Sequence, residues 1–246
     1  MPALRFQLRL FPLLGTLCML AVFVSLGQWQ QGKGERLQAQ RDQYERRSAL
    51  APISVSGSVL VDAIAFDNLP ITARGEYQAK EQFYLDNRQE EGVAGFQVVT
   101  PLKLEGSTTR LLVNRGWMAW PGKRGVVPQV AVPQGIVKVT GLASRPADKK
   151  FLLMTDPGDE RARLWMQVDL QRVRSHIAAP IQPIVLLQHS SDASDTLVRH
   201  WPAPQDRVAM HKGYALQWFG MAIALVVFFV FASLKRSDDS IQANSL

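Results

Sequence analysis

The chain is poor in the residues that most often carry metal and redox chemistry. Its 246 residues include one cysteine, Cys18, and four histidines. A single thiol excludes an intrachain disulfide and a paired-thiolate metal site. It also argues against a copper chaperone, because soft thiolate or clustered thioether ligands favour Cu(I). His176, His189, His200 and His211 are spaced too widely to give a close helical pair. There is no phosphate-cradling glycine loop and no Gly-x-Ser-x-Gly, and no serine and lysine share a distinctive setting. Asp86 and Asp169 read as strand-end and helix-cap residues rather than paired catalytic carboxylates. Nothing here calls for an enzyme.

Charge is plentiful, at a net +7, but it is not patterned for nucleic acid. The basic residues are spread along the chain, and no basic stripe is interleaved with stacking aromatics. The densest group, Arg36 to Arg47, is broken by Asp42 and Glu45 and preceded by Glu35. It reads as a solvated juxtamembrane helix that touches anionic lipid.

Two stretches lack charge altogether. Leu10 to Leu26 is 17 residues long, preceded by Arg5 and Arg9 and followed by Gly27-Gln28-Trp29. Ser25-Leu26-Gly27 resembles a leader cleavage site, but the run exceeds the usual leader core and Trp29 is placed as an interfacial anchor. We read an uncleaved transmembrane helix, with Pro12 in its first turns, where a missing donor matters least. Tyr214 to Leu234 is 21 residues long and ends at Lys235-Arg236. At 1.5 Å per residue it spans about 30 Å, the thickness of a bilayer core. The flanking charges do not decide orientation, because long domains translocate largely regardless of charge. His211 stands three residues before this second run, where protein, headgroup and water meet.

Between the apolar runs the periodicity changes. Gly34 to Leu50 is charged and helix-like. Leu69 to Tyr77 alternates as a strand would, and Phe83 to Arg88 and Gly95 to Leu104 are two more strands split by Glu90-Glu91-Gly92. A turn at Glu105-Gly106-Ser107 leads into Arg110 to Met118. Ile136 to Leu142, Leu164 to Val168 and Ile184 to Gln188 complete the strands, with a helix over Leu170 to Ile177. Ser190 to Asp195 reads as a loop, and Trp201-Pro202-Ala203-Pro204 as a stiff return to the membrane. The expected fold is two terminal transmembrane α-helices flanking an α+β, mainly antiparallel β, barrel-like extramembrane domain. Its parts are a tail over 1–9, a membrane helix over 10–29, a helical stalk over 30–50, the β-rich domain over 51–213, a second membrane helix over 214–234 and a tail over 235–246.

Five segments taken in order resemble a known family. They are Leu26-Gly27-Gln28-Trp29-Gln30, Gly95-Phe96-Gln97-Val98-Val99-Thr100-Pro101-Leu102, Leu112-Val113-Asn114-Arg115-Gly116-Trp117, Gly141-Leu142-Ala143-Ser144-Arg145-Pro146 and His211-Lys212-Gly213-Tyr214-Ala215-Leu216-Gln217-Trp218-Phe219. Together the chain is similar to the surfeit locus protein 1 family of cytochrome c oxidase assembly factors. Relatives often carry an asparagine where this chain has Met210, and an arginine where it has Lys33.

The resemblance implies that both termini are cytoplasmic and the domain periplasmic. With no Arg-rich, Ser-rich transit peptide, it implies a bacterial inner membrane. The implied role is delivery of haem a to the catalytic subunit of a haem–copper oxidase, received from a haem a biosynthetic enzyme. No bond-making chemistry is asked of it. The family pattern points to His211 as haem ligand, and a neutral imidazole is a common axial ligand. On a continuous helix His211, Ala215 and Trp218 share one face, with Tyr214 beside them. Ala215 would let a flat macrocycle approach, Trp218 would stack on it, and Trp29 would lie at similar depth. The competing reading is an interfacial histidine that faces headgroups. Asn114-Arg115-Gly116-Trp117 reads as a strand end with a buried Trp117 and a structural Arg115–carboxylate pair, with direct contact to the cofactor as the other reading. A membrane-anchored scaffold that docks oxidase subunits or other assembly factors without touching haem is the alternative function.

Overall fold

The structure, a computed structural model, describes residues 4–6, 9–122, 130–146, 163–189, 195–201, 203 and 207–236. The chain separates into two compact units, Met1–Gln43 with Pro204–Leu246, and Tyr44–Ala203. Its helices are α1 (Leu10–Ser48), α2 (Leu170–His176) and α3 (Val208–Ser233). Its strands are β1 (Leu4–Phe6), β2 (Ile53–Ser54), β3 (Pro70–Tyr77), β4 (Phe83–Glu90), β5 (Val93–Leu104), β6 (Arg110–Ala119), β7 (Ile136–Ser144), β8 (Leu164–Trp165), β9 (Ile181–Gln188) and β10 (Leu234–Arg236).

In the first unit, α1 and α3 each contain a stretch of mean hydropathy 2.2, long and apolar enough to cross a membrane. The 39 residues of α1 extend about 58 Å, roughly twice a bilayer core. Its charged second half therefore continues past the apolar stretch as the same helix. Both helices turn one narrow stripe away from the surroundings. On α1 it runs through Phe23, Gly27, Gln30 and Gly34, and on α3 through Val208, His211, Ala215, Trp218 and Ala222. Alternating steps of three and four residues are the signature of a coiled-coil-like seam. Gly27 permits the close approach, because a Cβ there would lie 2.7 Å from the Phe219 ring. Beyond the helix ends, β1 pairs antiparallel with β10.

The second unit is built on a closed ring of strands. β3 pairs with β7, β7 with β9, β9 with β6, β6 with β5, and β5 returns to β3. All these pairings are antiparallel except β6 with β9. The closing contact sets Gly75 opposite Leu104, and a Cβ at Gly75 would run into the Lys103 carbonyl. Glycine is what lets the barrel shut. Ile71, Ala73, Leu102, Leu111, Val113, Val139, Ile184 and Leu186 fill the interior. β4 and β8 extend the sheet beyond β5, and α2 lays Val173 over Phe83, Leu85, Leu112 and Trp165. Leu112 is thus covered from outside while Leu111 and Val113 face in, so β6 reads as a continuous apolar run.

The strand limits differ from the sequence reading for local reasons. β9 begins at Ile181 and runs through Pro183, because the β6–β9 register shifts between Arg110 and Leu112 and a bulge takes the proline. β8 stops at Trp165, and Asp169 then caps α2 by accepting from the Gln171 and Arg172 amides. The helix starts at Val208, so His211 lies inside its first turn. Most of Ser190 to Asp195, with Pro202 and Pro204, lies outside the described residues.

Candidate functional site

His211 belongs to the seam of the helical unit. Its amide donates to the Arg207 carbonyl at 3.1 Å, closing the first turn of α3, and the imidazole is half-buried. Nδ1 lies 2.7 Å from Oε1 of Gln30 on α1. An amide oxygen can only accept, so a neutral ring bonded this way would carry its proton on Nδ1 and leave the lone pair on Nε2. Gly34, one turn on from Gln30, faces the His211 Cβ, which lies 3.5 Å from where its own Cβ would be.

The other expected residues divide by helix face. Ala215 is buried in the seam one turn after His211. Trp218 follows on the same stripe, its ring centroid 5.9 Å from that of Phe23. Tyr214 lies beside the stripe and is 46 % exposed. Trp29 adjoins Gln30 in sequence and so points about 100° away around α1. It is 54 % exposed and carries the Lys33 ammonium 4.1 Å above its ring, a cation–π pair suited to a membrane boundary. Met210 is 45 % exposed and has no hydrogen-bonding side chain to orient the imidazole. The imidazole's contact is instead with Gln30, which periodicity alone does not single out.

Among the described residues no three or more His, Cys, Asp or Glu side chains cluster to hold a bare metal ion. A haem iron needs less, because the macrocycle supplies its equatorial nitrogens and the protein one or two axial ligands. One imidazole with its Nδ1 engaged and its Nε2 open fits that need. Ala215 and Trp218 follow His211 on the same stripe, Ala215 buried in the seam and Trp218 beside Phe23.

The β domain carries a second cluster of motif residues. Gln97, Asn114, Ser144, Arg145 and Pro146 converge on a pocket of about 370 Å³ that Leu85, Arg88 and Met166 also line. The Asn114 amide donates to Gln97 Oε1 at 3.0 Å, and Arg88 donates to the Met166 carbonyl at 3.2 Å. Burial pulls the Arg88 guanidinium below its ordinary range, while Asp86 acts in the opposite sense.

Arg115 does not reach this pocket. Val98 opposes Gly116 and Val99 opposes Asn114, so Arg115 is the extra residue of a bulge. Its side chain, 1 % exposed, bonds Asp195 at 2.9 Å and the Ala131 carbonyl at 2.9 Å. Asp195 also accepts from Arg199 at 2.6 Å. The carboxylate pair expected for Arg115 is therefore formed. Two parts of that motif reading are corrected: Trp117 is half-buried rather than buried, and the motif ends two residues before the strand does. The Trp117 indole N–H donates to the Arg88 carbonyl at 3.4 Å.

A model of the SURF1 family matches residues 17–223. A SURF1-like protein of Rickettsia bellii is 28 % identical over 187 residues, covering 71 % of this chain and 73 % of the relative. SURF1-like proteins of Rickettsia felis and Rickettsia conorii are each 24 % identical, covering 85 % of this chain and 91 % and 85 % of the relatives. The family match runs from inside α1 to inside α3, and so takes in Gln30, His211 and the residues of the β-domain pocket. The chain therefore belongs to the SURF1 family, the surfeit locus protein 1 family of oxidase assembly factors.

Proposed function

We propose that this protein is a membrane-bound assembly factor that assists haem a delivery into the catalytic subunit of a haem–copper oxidase. In this reading both termini are cytoplasmic, the β domain is periplasmic, and the membrane is a bacterial inner membrane. The observation that carries it is His211, held by Gln30 in the seam of two apolar helices with Ala215 and Trp218 following. Haem a bound there would supply a redox-active iron and a long isoprenoid tail suited to lipid. The chain's own part is to bind and to orient. His211 would supply an axial nitrogen to the iron, with Gln30 orienting its ring, and Trp218 on the same stripe would offer an aromatic face. Binding by few groups suits a carrier that must release what it holds, and the haem a biosynthetic enzyme would be the donor.

The test is the haem content of the detergent-purified protein from cells that make haem a. A reduced haem a band, lost in His211→Ala while the variant stays membrane-inserted, supports delivery. A colourless protein from cells shown to contain haem a would point instead to a scaffold. That second reading is favoured by the convergence of Gln97, Asn114, Arg145 and Pro146 on one pocket of the β domain. It predicts that oxidase subunits co-purify with the wild type and are lost when Arg88 and Asn114 are replaced, whatever stands at position 211.

A further inference from the structure

We infer that Gln30 is a positioning residue for His211: its side-chain carbonyl holds the ring's Nδ1–H, fixing the tautomer that turns the Nε2 lone pair toward a metal. The inference rests on the reading of His211 as haem ligand and extends it to a residue of the other helix.

The geometry is specific. Gln30 and His211 are 181 residues apart in sequence and 2.7 Å apart at Oε1 and Nδ1. Gln30 stands in the seam between Gly27 and Gly34, one turn to either side. A Cβ at Gly27 would strike the Phe219 ring, whereas one at Gly34 would sit 3.5 Å from the His211 Cβ, in ordinary contact. With no side chain at Gly27, the backbones approach until the amide arm of Gln30 spans the gap. A primary amide in an apolar seam has few partners, and leaving its carbonyl unpaired is unfavourable. The imidazole is the partner this structure gives it.

The chemistry follows from the tautomer. A neutral imidazole carries one proton on either nitrogen, and the hydrogen bond made by one fixes the role of the other. In water the free ring favours the proton on Nε2, which would close that nitrogen to iron. An acceptor at Nδ1 reverses the preference. A second partner on the non-ligating nitrogen also locks ring orientation and raises ligand basicity. An uncharged amide does so more weakly than a carboxylate, which suits a ligand that must let go.

A bond that only stapled two helices would not move the tautomer or an iron potential. The experiment therefore uses full-length protein with ¹⁵N-labelled histidine rings in detergent, at about pH 8.5, where imidazoles are largely neutral. The His211 signals are assigned by their loss in His211→Ala. The wild type should show a protonated Nδ1 and an open Nε2. Gln30→Leu should move the proton to Nε2, and Gln30→Glu, which keeps an acceptor, should restore Nδ1–H. In protein loaded with haem a, Gln30→Leu should weaken retention by about 10–100-fold. Gln30→Glu should retain haem and lower its midpoint potential. A wild-type ring protonated on Nε2, or a tautomer indifferent to Gln30→Leu, overturns the assignment whatever the haem result. A Gln30-dependent Nδ1–H in a protein that takes up no haem would uphold Gln30 as the ring's partner and sink the haem reading instead.

Discussion

The two units solve the problem of burial in opposite ways. In the β domain, strands close on themselves, and apolar side chains from β3, β5, β6, β7 and β9 fill an interior shut off from solvent. In the helical unit only 6 % and 11 % of the most apolar stretches are buried. The rest faces outward, as it should where the solvent is lipid. Water drives the barrel together, whereas lipid tails are as apolar as leucine and give helices no such push. The helix pair depends instead on close packing at Gly27 and on the polar contact between Gln30 and His211. A residue there is free to serve a ligand in a way that a barrel-core residue is not.

The comparison can be tested from either side. The largest effect is expected in the barrel unit. Phe96 is fully buried, with Tyr84 edge-on at 5.5 Å and Trp120 at 4.7 Å. Phe96→Ala should destabilise the domain by about 3–5 kcal/mol, read as an earlier denaturant midpoint by near-ultraviolet circular dichroism. Binding at His211 should survive wherever the domain stays folded. Next comes Arg115→Met. Removing one partner of a buried ion pair costs about 3–5 kcal/mol when the other charge is stranded. Asp195 retains Arg199, so about 2–3 kcal/mol is expected here, within the range for hydrogen bonds to charged groups. Unfolding in urea would measure it.

A smaller effect belongs to the seam. Gly27→Leu places a side chain where Phe219 already lies, an overpacking worth about 1–3 kcal/mol that should part the helices and release Gln30 from His211. Disulfide trapping in a Cys18→Ala background reads the separation of the helices. Gly34→Cys with His211→Cys brings the Cβ atoms to 3.5 Å, within bridging range, and adding Gly27→Leu should reduce the yield several-fold. The smallest effect is expected for Trp29→Ala. Its ring lies on another face of α1 beneath Lys33, so the change should leave trapping unaltered and haem retention within about twofold, a loss of under about 1 kcal/mol. A large loss of haem would return Trp29 to the site.

Much of this architecture is legible in the sequence, because uncharged runs and period-two alternation report local burial. The apolar stretches of α1 and α3 and most strands of the barrel announce themselves this way. The missed features are non-local. Barrel closure rests on Gly75 meeting Lys103 across two strands, and an isolated glycine in a strand pattern does not name its neighbour. The bulge that turns Arg115 inward appears only once β5 and β6 are in register. The candidate site shows the same limit. His211, Ala215 and Trp218 follow from helical spacing, since they share one helix. Gln30 does not, since nothing local tells which face of α1 will meet α3. Trp29 stands out in the sequence as a large aromatic at a membrane boundary, while its neighbour Gln30 makes the contact.

We propose that the helix seam, rather than the β-domain pocket, holds haem. The most direct test is the reduced absorption spectrum of the full-length protein, purified from cells that make haem a, beside His211→Ala and Arg88→Ala. A haem a band is expected in the wild type and in Arg88→Ala, and none in His211→Ala. A band that persists without His211, or vanishes with Arg88, would contradict it.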